Sequence, residues 1–160
     1  MRPRPPTFRV KKRYVLARII PPWRIVEARV LGSAVHDAAT SLWGDAHTAL
    51  MQPAVMVTEK DLAILRCRRG TERDLITALA TITAVGDLPL ILRPLAVSGT
   101  ILALKERGAR LHREIQEEEL AVKGRVCTVY RYQGHKVDLL ERGIKGQNVV
   151  FFTTEDIEEL

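Results

Sequence analysis

In "LAVSGTILAL" (95–104), Ser98 stands where an apolar run gives way to a helical pattern. A serine in that position can be a nucleophile, a phosphate cradle or a helix cap. A nucleophile elbow needs Gly-x-Ser-x-Gly and a histidine and carboxylate as partners. Ala96 and Thr100 occupy the two glycine places, and none of His36, His47, His112 and His135 is spaced to pair with it. A cap needs only a backbone N–H for the hydroxyl to accept from. A cradle would use the free N–H groups of Gly99, Thr100 and Ile101, which attract anions at a helix start. Cap and cradle both stay open at this level.

The second cluster is "RCRRG" (66–70). Counted from Leu62, strand alternation puts Leu62, Ile64, Arg66 and Arg68 on one face and Ala63, Leu65 and Cys67 on the other. Cys67 then reads as a small core residue. In a base-reading sheet this strand would carry aromatic residues that stack on unpaired bases. It carries none, and the whole chain is only 5% aromatic. Arginines without stacking partners suit phosphate contact and shape rather than sequence readout.

The remaining candidates are weaker. Cys67 and Cys127 form no CxxC pair, so neither a disulfide framework nor a zinc site is expected. Carboxylates cluster only in Glu117-Glu118-Glu119 and in "EDIEEL" (155–160), the composition of solvated faces and chain ends. No metal ligands and no catalytic residues are assigned.

Charge is distributed unevenly along the 160 residues. Residues 1–26 hold Arg2, Arg4, Arg9, Lys11, Lys12, Arg13, Arg18 and Arg24 and no acid. Residues 1–108 carry a net +8, from 17 Lys/Arg against 9 Asp/Glu, whereas residues 109–160 carry −2. The first two thirds therefore suits a polyanionic partner and the last third does not. The uncharged stretch Leu75–Gly86 is too short to span a bilayer. Pro3, Pro5 and Pro6 leave no apolar segment of signal-peptide type, and a cytoplasmic location is expected.

The elements that must position these residues follow from pattern. Residues 1–12 are proline-punctuated and basic, an extended arm. "RYVLARII" (13–20) is a predicted strand. Ala28, Leu31, Val35, Ala38 and Leu42 recur at helical spacing between Trp23 and Trp43, with a stop at Gly44-Asp45. "PAVMV" (53–57) and "LAILRC" (62–67) make a hairpin across Thr58-Glu59-Lys60-Asp61. Thr71 and Asp74 match a capping box opening a helix through Leu75 and Leu79, with Gly86 ending it. "LPLILRPLAV" (88–97) is a strand whose Pro94 marks an edge or a bulge. The order strand-helix-strand-strand-helix-strand is that of a ferredoxin-like, RRM-like α+β sandwich: helices packed on a four-stranded antiparallel sheet. A further helix over about 100–120 and a short β-rich extension complete the chain. The expected domains are an arm (1–12), a core (13–108) and a C-terminal extension (109–160).

Three stretches, "PPTFRVKKRYVLARI" (5–19), "LAILRCRRG" (62–70) and "LPLILRPLAVSGTILALKERG" (88–108), occur in an order that resembles the archaeal ribonuclease P protein component 2 family. Ser98-Gly99-Thr100-Ile101 is the most specific part, and the resemblance covers about residues 5–108. It implies an RRM-like protein subunit of ribonuclease P, the endoribonuclease that removes the 5′ leader from precursor tRNA. In that family the RNA subunit with bound Mg2+ is the catalyst, so this chain would hold no cofactor itself. The implied partners are ribonuclease P RNA, protein component 3, a second copy of the chain and, through the complex, precursor tRNA; no membrane is implied. Nothing carries over to residues 109–160.

The residues expected to meet RNA are Arg4, Arg9, Lys11, Lys12, Arg13, Arg66, Arg68, Arg69, Lys105 and Arg107, with Ser98 and Gly99 supporting the helix start. The rivals are a ferredoxin-like domain that binds a small regulatory molecule, and an RNA-binding subunit of another ribonucleoprotein. The acid-free arm has no use in the first; charge alone does not separate the second.

Overall fold

The computed structural model of the chain describes residues 9–112, 116–122, 124–131, 136–141 and 149–153. Arg4 and most of the arm lie outside them. The chain falls into two compact units, Met1–Gly108 and Ala109–Leu160.

In the first unit, strands β1 (Lys12–Ile20), β2 (Ala54–Glu59), β3 (Leu62–Arg68) and β6 (Ile91–Ser98) form one antiparallel sheet in the order β2-β3-β1-β6. Helices α1 (Ala28–Met51) and α2 (Glu72–Thr81) connect its halves. This is the expected ferredoxin-like topology, with β1 and β3 at the centre. Alternation divides β1 and β3 cleanly: Val15, Ala17 and Ile19 join Ala63, Leu65 and Cys67 in one core. Leu31, Val35, Ala39 and Met51 of α1 and Leu75, Ala78 and Leu79 of α2 fill that core. Burial there pushes the Cys67 thiol above its ordinary pKa, with the neighbouring Thr71 side chain opposing the rise.

The opposite face of the sheet meets α3 (Ile101–His112). Leu16, Ile64 and Leu104 are buried, and the Cβ position of Gly108 lies 3.0 Å from Leu62 Cδ1 and 3.8 Å from Leu16 Cδ1. A glycine at this point lets the helix backbone come down onto the leucines.

Several local expectations are corrected. Gly44 does not end α1: it takes φ 76° and kinks a helix that continues to Met51. The continuation is held because Thr48 and Met51 are buried and His47 Nε2 lies 2.8 Å from Asp74 Oδ2 of α2. Leu42, assigned to the inner face, is 42% exposed, and Ala39 takes the buried place. The hairpin loop is two residues, Lys60-Asp61, because β2 extends through Glu59. The Asp61 carboxylate is buried beside Arg18, at 3.2 Å, and its carbonyl accepts from Ile19 N. No capping box forms at α2: the Thr71 hydroxyl donates to Arg68 O, and Asp74 turns to His47. Gly86 lies in the tight turn of a small hairpin, β4 (Ala84–Val85) with β5 (Leu88–Pro89), after α2 has ended at Thr81. Pro94 sits on an edge strand where the register with β1 shifts, which satisfies its missing N–H.

The second unit is an antiparallel meander: β7 (Gln116–Val122), β8 (Arg125–Arg131), β9 (Lys136–Glu141) and β10 (Val149–Thr153) in the order β10-β9-β8-β7. The helix expected over 100–120 therefore stops at His112, and Glu117, Glu118 and Glu119 stand on a strand. Strand pairing wins because Leu120 packs against the core of Cys127, Val129, Val137 and Leu139. Glu118 also pairs with Arg131 of β8 at 3.2 Å.

Candidate nucleic-acid interface

The N-terminal end of β1, the C-terminal end of β3 and the C-terminal end of β6 meet at one end of the sheet. Lys12 pairs with Arg68, and Tyr14 pairs with Arg66 on one side and Ser98 on the other. Arg69 N donates to Lys11 O at 2.9 Å, which extends the ladder by one step and holds both exposed side chains at the same end. The fold thus brings Lys11, Lys12, Arg13, Arg66, Arg68, Arg69, Ser98 and Gly99 together from three separate stretches. Arg9 is exposed just before them, and Arg4 lies outside the described residues. Lys105 and Arg107 are exposed on α3, flanking the Leu104–Gly108 stripe that seats the helix.

Alternation also separates neighbours. Lys12, Tyr14, Arg66 and Arg68 share the α3 face of the sheet, beyond the part where Leu16 and Leu62 meet Gly108. Arg13 points to the other face, where its Nε lies 3.5 Å from Glu72 Oε1. Its guanidinium passes 3.4 Å from the Cβ position of Gly99, so the glycine leaves room for it. Glu72 also accepts from Gly70 N at 2.8 Å, fixing the turn between β3 and α2.

The electrostatics of the α3 face are unbalanced. Like charges directly across a ladder destabilise a sheet, and Lys12 stands opposite Arg68 with Arg66 one diagonal away. Lys12 donates to the neutral Gln52 Oε1. Among the described residues neither Lys12, Arg66 nor Arg68 has a carboxylate partner, and Arg66 Nε is buried without an acceptor. By contrast Arg18, opposite Arg93 on β6, is neutralised by Asp61. The uncompensated charge is concentrated at one end of the sheet.

Ser98 takes part in the hydrogen bonding that opens α3. Its hydroxyl accepts from Thr100 N at 3.2 Å, and Thr100 Oγ1 accepts from Ala103 N at 3.4 Å. Thr100 rather than Ser98 is the cap, and the Ser98 hydroxyl takes the N–H of Thr100, one of the three that an anion cradle would use. Among the described residues no group of three or more His, Cys, Asp or Glu is arranged to hold a metal ion. No helix among them is long and apolar enough to cross a membrane.

Tyr14 was not among the expected contacts. A base-reading sheet is expected to carry its aromatic residue on β3, whereas this one stands on the adjacent central strand. Its signal was its place two residues before Leu16 within "RYVLARII", on the same face as Arg66 once the register is known.

The chain is 49% identical to ribonuclease P protein component 2 of Methanoculleus marisnigri, over 99% of both chains. It is 41% identical to the protein of that name from Methanosphaerula palustris, again over 99% of both. These two relatives therefore share the C-terminal extension as well as the core. Among solved structures, a chain in the cryo-EM structure of yeast ribonuclease MRP is similar at TM-score 0.47 and 12% identity, covering 65% of this chain and 93% of that one. The Rpp14/Pop5 family model matches residues 13–109, from the second residue of β1 into α3, with Lys11 and Lys12 just before the match. With full-length relatives on both sides of that match, the chain belongs to the Rpp14/Pop5 family.

Proposed function

We propose that this chain is a protein subunit of ribonuclease P that binds the RNA subunit through the basic end of its sheet. The observation that carries the assignment is full-length similarity to proteins named ribonuclease P protein component 2. The uncompensated charges of Lys12, Arg66 and Arg68 support the mode of contact: RNA phosphates neutralise a like-charged pair that otherwise costs stability. Lys11, Arg69 and Arg9 extend the same surface, Arg4 would do so from the arm, and Lys105 and Arg107 offer further contacts on the two sides of the stripe that seats α3. Arg13 contributes mainly by holding Glu72 and the α2 start. In this reading the catalyst is the RNA with its own Mg2+, and the protein positions it for removal of the 5′ leader from precursor tRNA. Ribonuclease P protein component 3 and a second copy of this chain are the proposed protein partners, and the assembly would work in the cytoplasm.

The test is to recover the native chain from its own cells and identify what accompanies it. Ribonuclease P RNA and protein component 3 are the expected companions, and the purified chain alone should cleave no precursor tRNA, with or without Mg2+. Recovery of a different RNA, or cleavage by the lone chain, contradicts the proposal.

A further inference from the structure

We propose that Tyr14 is a stacking platform for an unpaired nucleotide of the bound RNA, so that the interface holds a base as well as phosphates. This rests on the RNA-binding role proposed above and gives it a site. Tyr14 is the one aromatic residue in β1, β2, β3 and β6. It is half-buried on the α3 face, on a central strand, flanked by Arg66 across one ladder and Ser98 across the other. That placement puts it on the face opposite the core built from the alternate residues Val15, Ala17 and Ile19. The apolar floor under α3 is supplied by Leu16, Ile64 and Leu104. Tyr14 is therefore not needed to fill either hydrophobic layer.

Its surroundings suit a nucleotide. Lys12 and Arg68 lie one step along the same face, toward the open end of the sheet, where they can meet the flanking phosphates. Arg66 stands directly across from Tyr14 and puts a further positive charge beside the ring. Paired bases in an A-form helix are inaccessible to a sheet, so the occupant is a nucleotide in a loop, bulge or single-stranded joint. Every base has a π-face, so the contact selects an unpaired nucleotide rather than a sequence.

The experiment measures binding of the full chain to ribonuclease P RNA for the native protein, Tyr14→Phe, Tyr14→Leu, and Lys12→Gln with Arg68→Gln, each across a salt series. Tyr14→Phe should bind within about twofold of native, and Tyr14→Leu about tenfold more weakly. Neither should alter the salt slope, because no charge is removed. RNA substituted with 4-thiouridine should crosslink to the peptide bearing Tyr14. Native-like affinity of Tyr14→Leu, while the Lys12/Arg68 variant flattens the slope, overturns the stacking role and leaves the RNA-binding role standing. No effect of either variant overturns both. Should Tyr14→Leu fail to fold, the crosslink decides, and its absence from Tyr14 overturns the proposal.

Discussion

Lys12 and Arg13 are neighbours in the chain and serve opposite faces of the sheet. Lys12 stands in the uncompensated row with Arg66 and Arg68, while Arg13 is tied to Glu72 at the start of α2. A charge run in a sequence gives no hint of that division; the strand's two-residue period makes it. Ser98 shows the same dependence on local geometry. Because its hydroxyl and that of Thr100 each accept one exposed backbone N–H, each is worth a partial cap. Ser98→Ala and Thr100→Ala should each lower stability by about 0.5–1 kcal/mol, read from urea unfolding, and leave RNA affinity nearly unchanged. A large loss of RNA binding by a folded Ser98→Ala would instead assign the hydroxyl to the ligand.

At the scale of elements, the seat of α3 decides how much of the sheet is open. Gly108 lies against Leu62 and Leu16, and adding a branched side chain there crowds both leucines. Gly108→Val should destabilise the chain by about 1–3 kcal/mol, measured as a lower midpoint of chemical unfolding. An unchanged midpoint would mean that α3 is not packed at this point. The four main strands and the first two core helices were legible because their apolar periods are strong: Ala63-Leu65-Cys67 and Leu75-Leu79 read directly as buried faces. What was not legible depended on partners distant in sequence. Gly44 looks like a stop signal, but Thr48, Met51 and the His47–Asp74 contact carry the helix past it. Glu117–Glu119 suit a helix face, yet pairing with β8 makes them a strand. Tyr14 entered the site only through its register with Arg66 and Ser98.

On the scale of the whole molecule, the core of the first unit is drawn entirely from residues between Val15 and Leu92, and the second unit has its own apolar cluster. A chain of residues 1–112, which keeps α3 whole, should therefore unfold cooperatively on heating. Loss of that transition would show that the extension completes the fold. The central claim concerns charge. Each phosphate contact made by Lys12, Arg66 or Arg68 releases condensed counterions, so affinity for RNA falls with salt along a slope set by the number of contacts. The most direct measurement is a salt titration of binding to ribonuclease P RNA, comparing the native chain with Lys12→Gln, Arg66→Gln and Arg68→Gln. The expected result is a steep native slope that each substitution flattens by about one log–log unit, with similar losses on other RNAs of the same shape. Identical slopes for the native and substituted chains would contradict it, placing these residues against solvent or a protein neighbour instead of RNA.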